Sequence, residues 1–336
     1  MGQAIHQYRR LVPYLLLAPG LVWLAVFYLY PGIQMFLTSL WTGTLESGFS
    51  LTWHWDTYAA GIERYGEQFG RSVVYGGAAT VLTFMIAYPL AFTIAFKGGR
   101  YKNLLLFLVI APFFTSFLLR TISWKIILGD DGIVLGPAKD LGFLGQDFRL
   151  LATPLAVVSG ITYNFLAFMT LPIYVSLEKI DRRLIEAAQD LYAGPWRPGG
   201  TIAGGIISGF FCALLAYAFE YDVLAWAVVG AVLGAALGTL FISQSFLRVT
   251  LPLSLPGVFA GSLLVFIPAI GDYVNAELLG NPSTRMIGNV IQSRFLTNND
   301  YPTAAALSFI LMAGILVAVA VYARLLGTEE LESGLV

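Results

Sequence analysis

Six separate stretches of this sequence stay apolar long enough to cross a lipid bilayer, and that pattern constrains the fold more than any other feature. A helix rising ~1.5 Å per residue needs about 20 apolar residues to traverse the hydrocarbon core. Runs of that kind lie at about 13–38, 72–96, 104–128, 152–177, 253–279 and 304–326. A further apolar region, about 199–243, is long enough for two more spans, with Glu220 and Asp222 at its midpoint suited to a turn between them. Only 12% of the 336 residues are charged and 57% are hydrophobic. A soluble chain carries about 25% charged residues and would have no means of hiding this much apolar surface. The expected fold class is all-α, a polytopic membrane protein with eight spans.

The remaining composition excludes several function classes. A net charge of -1 provides no basic field for nucleic acid. The single cysteine, Cys212, sits in an apolar run, which rules out an internal disulfide and argues against a thiolate metal cluster. His6 and His54 are too few and too far apart for a metal or triad site. The first apolar run follows Arg9 and Arg10, is too long for a signal-peptide core and lacks a small-x-small cleavage site, so it reads as a retained span. No Gly-x-x-x-x-Gly-Lys-Ser/Thr loop is present. Any ATP and Mg that this chain depends on are therefore expected on another chain, with no cofactor in this one.

Orientation follows from the basic residues. With both termini in the cytoplasm, 11 Lys and Arg fall in cytoplasmic segments and 8 outside, and the short 97–102 and 178–198 loops are plainly basic. Most loop acids, among them Glu46, Asp56, Glu63, Glu67, Asp130 and Asp131, fall outside. The largest outer segment, about 39–71, carries Trp41, Trp53, Trp55 and Tyr58, rings that favour the membrane–water interface.

The most informative cytoplasmic stretch runs from Asp181 to Tyr192. Helical spacing places Leu184, Ile185, Ala188, Leu191 and Tyr192 on one face. Asp181 is a candidate N-cap, and Arg182 and Arg183 lie within pairing reach of Glu186. A short amphipathic helix in this place either rests on lipid headgroups or docks in a partner's groove.

Glu186-Ala187-Ala188, with Leu251-Pro252-Leu-Ser-Leu-Pro256-Gly257 further on, resembles the EAA loop of binding-protein-dependent ABC importer permeases. In that family the loop is a helix–turn–helix seated in a cleft of the ATPase subunit. The resemblance implies that Glu186, Ala187, Ala188, Leu191, Gly194, Leu251 and Pro252 make the coupling contacts. Ala111–Thr121 with Trp124, Pro268–Tyr273, Glu277–Gly280, Met286–Gln292 and Asp300–Ala306 resemble segments of spermidine/putrescine permeases. The implied architecture is a type I ABC importer permease fold, a single transmembrane domain over 1–336 with its core at 72–197 and 244–326. The implied function is half of a polyamine translocation pathway. The implied partners are a dimeric ATP-binding subunit, a second homologous permease subunit and an extracytoplasmic substrate-binding protein.

Two features depart from the family pattern. Tyr192 stands where the family usually has Gly, and Gly194, two residues on, is available for the turn instead. Residues 198–243 separate Trp196-Arg197 from Ser245–Arg248, where family members run on without a break. Two inserted spans return the chain to the cytoplasm, whereas one would invert everything after it. Gly200, Gly204, Gly205 and Gly209, then Gly230, Gly234 and Gly238, suit a closely packed transmembrane hairpin. A passive insertion is equally open.

Ionisable residues within spans are functional candidates by default. Asp272 falls near the outer end of its span, after a break expected at Pro268. A polyamine carries several positive charges on an apolar stem, to which carboxylates and aromatic faces are complementary. Asp272, Tyr273, Glu277, Trp124 and Arg120 are the path candidates, with pairing of Asp272 to Arg120 or Lys125 as the structural alternative. Two rival classes remain. A secondary transporter would work without an ATPase and carry internal repeats, of which none is convincing. An intramembrane aspartyl protease fits Tyr221-Asp222 and Gly271-Asp272, but Ala269 replaces the first Gly of its second motif.

Overall fold

The computed structural model describes residues 16–133, 135–142, 145, 148–191, 208–209, 212–213, 228, 231–232 and 245–325. Tyr192, Gly194 and most of the expected inserted hairpin lie outside them. Among the described residues, five helices are long and apolar enough to cross a membrane: α1 (Leu16–Ser39), α2 (Asp56–Lys97), α6 (Pro154–Glu178), α8 (Phe246–Ile270) and a last one beginning at Tyr301. A sixth candidate is a bent pair, α3 (Gly99–Phe114) and α4 (Phe117–Ile127). Shorter helices are α5 (Leu135–Asp140), α7 (Arg182–Leu191), α9 (Val274–Leu279) and α10 (Ile287–Gln292), and the last span is α11 (Tyr301–Leu325). A two-stranded antiparallel hairpin, β1 (Trp41–Thr44) and β2 (Gly48–Leu51), pairs Trp41 with Leu51 and Thr44 with Gly48. It is the one departure from an all-helical fold among the described residues.

Two expected spans need correction. The run at 104–128 is not one straight helix, because α3 and α4 meet at 95°. Pro112 offers no N–H, residues Ala111–Phe114 tighten into a 3₁₀ turn, and Thr115 is extended (φ -87, ψ 152). The Thr115 hydroxyl then donates to the Pro112 carbonyl at 2.6 Å and fixes the corner. The run at 253–279 also divides, but at Gly271 rather than Pro268. The helix passes through Pro268 and ends at Ile270, and α9 begins afresh at Val274.

The chain forms two compact units. The first holds residues 1–66 and 290–316. Here α1 leaves Leu17, Leu21, Trp23 and Phe27 more than half exposed, as a lipid-facing helix does. Phe36 meets Phe309 edge to face at 5.5 Å, and the Ser39 and Tyr58 hydroxyls share a 2.6 Å hydrogen bond. Arg294 donates to the Tyr65 hydroxyl at 2.9 Å through Nε and pairs with Asp300 at 3.4 Å.

The second unit holds 67–289 and 317–336, and α6 is the most enclosed of its spans. One apolar cluster joins Tyr75, Ala79, Val157, Ile161, Ala269, Leu279 and Met286. Another joins Ala87, Ala91, Ile94, Met169, Ile173, Leu177 and Val265. Helices α6 and α8 run antiparallel in close contact. Gly257 faces Pro172 and Ser176, and Gly261 faces Met169, positions where any side chain would collide. This is the small-xxx-small device by which helices approach in lipid.

Candidate functional site

The element expected on the cytoplasmic side is α7 (Arg182–Leu191). Asp181 accepts from the Arg183 amide at 3.0 Å, which supplies the expected N-cap. The apolar stripe divides in two. Ala188 is buried, and Ile185 packs on the cluster that contains Ile173 and Leu177. Leu184 and Leu191 stay 53% and 76% exposed, and Glu186 and Ala187 are exposed with them. At ~100° per residue, Ile185 and Ala188 form one edge of the stripe and Leu184, Ala187 and Leu191 the other. One edge is anchored on the protein's own core and the other is open. The expected pairing of Arg182 and Arg183 with Glu186 does not form. Arg182 instead donates to the Ala95 carbonyl at 3.4 Å, near the C-terminal end of α2, where carbonyls lack helical partners.

The turn Phe246–Thr250 that opens α8 packs against α7, so two segments far apart in sequence lie side by side. Leu251 is partly buried against the same cluster as Ile185, while Pro252 is exposed. Lys102 pairs with Glu178 at 2.5 Å and ties the start of α3 to the end of α6.

A second constellation joins α4, α6 and α9. The carboxylate of Asp272, 8% exposed, accepts from the Asn275 amide at 2.9 Å and from Asn275 Nδ2 at 2.6 Å. Asn275 Oδ1 in turn accepts from Asn164 Nδ2 at 3.1 Å and from the Thr121 hydroxyl at 3.3 Å. Asn164 Oδ1 and Arg120 Nε are buried without a partner. Arg120 sits over the Phe113 and Phe117 rings at 5.9 and 5.8 Å, and its Nη1 lies 3.5 Å from the Asn164 carbonyl. Asp272 pairs with neither Arg120 nor Lys125, because Asn275 engages both of its oxygens. Tyr273 is 44% exposed, and exposed Glu277 accepts from Asn289 Nδ2 at 3.0 Å. Trp124 is half-buried, edge-on to Tyr163 at 5.4 Å.

Residues 243–326 match the family described as the binding-protein-dependent transport system inner membrane component. Over 312 residues the chain is 33% identical to the spermidine/putrescine transport system permease protein PotB of Haemophilus influenzae, an alignment that covers 90% of each protein. The chain belongs to this permease family. Escherichia coli PotB is 31% identical over 290 residues, covering 86% of this permease and 88% of that protein. A crystal structure of a bacterial ABC transporter involved in the import of the acidic polysaccharide alginate includes a chain of the same fold. The TM-score is 0.57 at 16% identity, with 97% of this permease and 98% of that chain covered.

In the permease, the residues singled out from sequence separate into two groups. Glu186, Ala187, Ala188, Leu191, Leu251 and Pro252 cluster around α7 and the start of α8. Arg120, Trp124, Asp272, Tyr273 and Glu277 gather around α4 and α9. Asn164, Asn275 and Thr121, which link Asp272 to α4 and α6, were not picked out by a search for ionisable residues. The available signal was an Asn inside each of two apolar sequence runs, 152–177 and 253–279, since a polar side chain there needs a partner.

Proposed function

We propose that this permease forms half of the translocation pathway for a polyamine and is driven by a separate ATPase through α7. The observation that carries the coupling half is the divided face of α7. Ile185 and Ala188 fix the helix to its own membrane domain, while Leu184, Ala187 and Leu191 remain bare beside Glu186. An exposed apolar edge on an anchored helix suits a partner groove and transmits force in both directions. Packing of the Phe246–Thr250 turn against α7 supports its reading as the second half of the coupling element, with Leu251 and Pro252 following.

The polyamine half rests on the PotB relatives and on Glu277 and Tyr273, which present a carboxylate and an aromatic face to a cation. The partners are an ATP-binding dimer that holds ATP and Mg, a second homologous permease and an extracytoplasmic binding protein. Both termini lie in the cytoplasm, the side on which α7 meets the ATPase. A cysteine cross-linking experiment tests the coupling contact. With Cys212 replaced by Ser, Ala187→Cys should cross-link to the ATPase subunit in membranes, and Ile185→Cys should not. No cross-link from position 187 to the ATPase would contradict the proposal.

A further inference from the structure

A groove of about 480 Å³ runs between α6 and α8, lined by Phe168, Leu171, Val175, Ala260 and Leu264, with Lys179 at one end. Val175 and Leu264 are 50% and 49% exposed, so the groove opens on the surface of the spans. Among the described residues, Ser176 and Lys179 are its only polar lining. Lys179 directly follows the last residue of α6. From Phe168 to Lys179 that helix rises ~16 Å at ~1.5 Å per residue, about half of the ~30 Å hydrocarbon core and so the depth of one leaflet. The groove is therefore apolar through a leaflet and basic where headgroups begin. Lys179 is exposed and has no hydrogen-bond or ion-pair partner among the described residues. The neighbouring acids are engaged elsewhere, Glu178 by Lys102 and Asp181 by the Arg183 amide.

We propose that this groove holds one acyl chain of an anionic phospholipid, whose phosphate pairs with the Lys179 ammonium. Lipid tails are as apolar as the groove walls, so any tail can lie there and the walls select none. Selection falls to the headgroup. A lysine at the end of a span extends to the headgroup level and attracts negative charge. The same charge repels a cation. A partner helix seated in the groove would have to bring its own carboxylate or leave an uncompensated ammonium beneath it. The proposed orientation of the chain makes this the cytoplasmic leaflet. Binding itself depends neither on that orientation nor on the transported substrate.

The test uses the complete transporter in phosphatidylcholine vesicles. A minor share of the lipid is replaced by phosphatidylglycerol, or by phosphatidylcholine, carrying a photoactivatable diazirine within one acyl chain. Labelled peptides are read by mass spectrometry after illumination. Phosphatidylglycerol should label the peptides that contain Val175 and Leu264 about fivefold more than phosphatidylcholine does, the equivalent of ~1 kcal/mol for one basic residue near the surface. Lys179→Gln, at an exposed position, should abolish that preference and leave labelling by phosphatidylcholine unchanged. Lys179→Arg should retain the preference. Ala260→Phe fills the groove with the charge intact and should reduce labelling by both lipids. Equal labelling of the wild-type transporter by the two lipids overturns the inference, because the groove then holds only bulk lipid. A preference that survives Lys179→Gln, or labelling untouched by Ala260→Phe, also overturns it. Absence of label from both peptides overturns it too and leaves the groove to the partner permease.

Discussion

Gly257→Ala tests the packing on which the transmembrane architecture depends. An added Cβ would stand 2.4 Å from the Pro172 carbonyl oxygen, 2.5 Å from Ser176 Cβ and 3.0 Å from the Pro172 carbonyl carbon. Two of these three atoms are backbone, so no rotamer change relieves the contact and the helices must part. A gap of ~0.5–1 Å forfeits a quarter to a half of the dispersion energy of each facing pair. Overpacking of this kind costs about 1–3 kcal/mol. Alanine's better helix propensity returns ~1 kcal/mol, which leaves a net loss of up to about 2 kcal/mol. Gly77→Ala is the matched control, since nothing lies within 4 Å of a Cβ built there. It gains the propensity term with no collision. Denaturant titration of the detergent-purified permease should show Gly257→Ala less stable than wild type and Gly77→Ala as stable or more so. Equal stability of the two variants would refute the close approach of α6 and α8.

Other consequences are open to test. Asn275→Ala removes the side-chain donor to buried Asp272 and the acceptor shared by Asn164 and Thr121, and should destabilise the permease by about 3 kcal/mol in the same titration. Leu191→Glu should lower recovery of the ATPase subunit on co-purification without changing the permease's own melting temperature, whereas Ile185→Glu should lower the melting temperature itself. Glu277→Gln should slow polyamine uptake about fivefold, the effect of one partly solvated ion pair worth ~1 kcal/mol. Lys102→Ala should cost under ~1 kcal/mol, because its Glu178 partner is half exposed and solvent screens the pair.

The spans were legible because a bilayer imposes a length. The run expected at 152–177 is helical over Pro154–Glu178 and that at 304–326 over Tyr301–Leu325. Breaks within apolar runs were less legible. Hydropathy is blind to backbone direction, so it missed the 95° corner, although Ala111-Pro112 and Thr115 carried the signal in proline chemistry. Pro268 was the obvious place to end α8, yet neighbouring helices tolerate a proline in a membrane span, and the chain turns at Gly271 instead. The face of α7 was half legible. Helical spacing gathers Ile185, Ala188, Leu184 and Leu191, but which of them the domain itself covers depends on the ends of α2 and α6. Asp272 stood out as an isolated carboxylate in an apolar run. That Asn275 holds both of its oxygens could be seen only in three dimensions, and this shifts the exposed role to Tyr273 and Glu277.

On the proposed function, this permease carries a polyamine on energy borrowed from another chain. ATP-dependent uptake of labelled spermidine into proteoliposomes, with and without the ATPase subunit, measures that directly. Uptake should require the ATPase and its hydrolysis of ATP. Uptake that persists in the absence of the ATPase would contradict the proposal and establish a secondary transporter in its place.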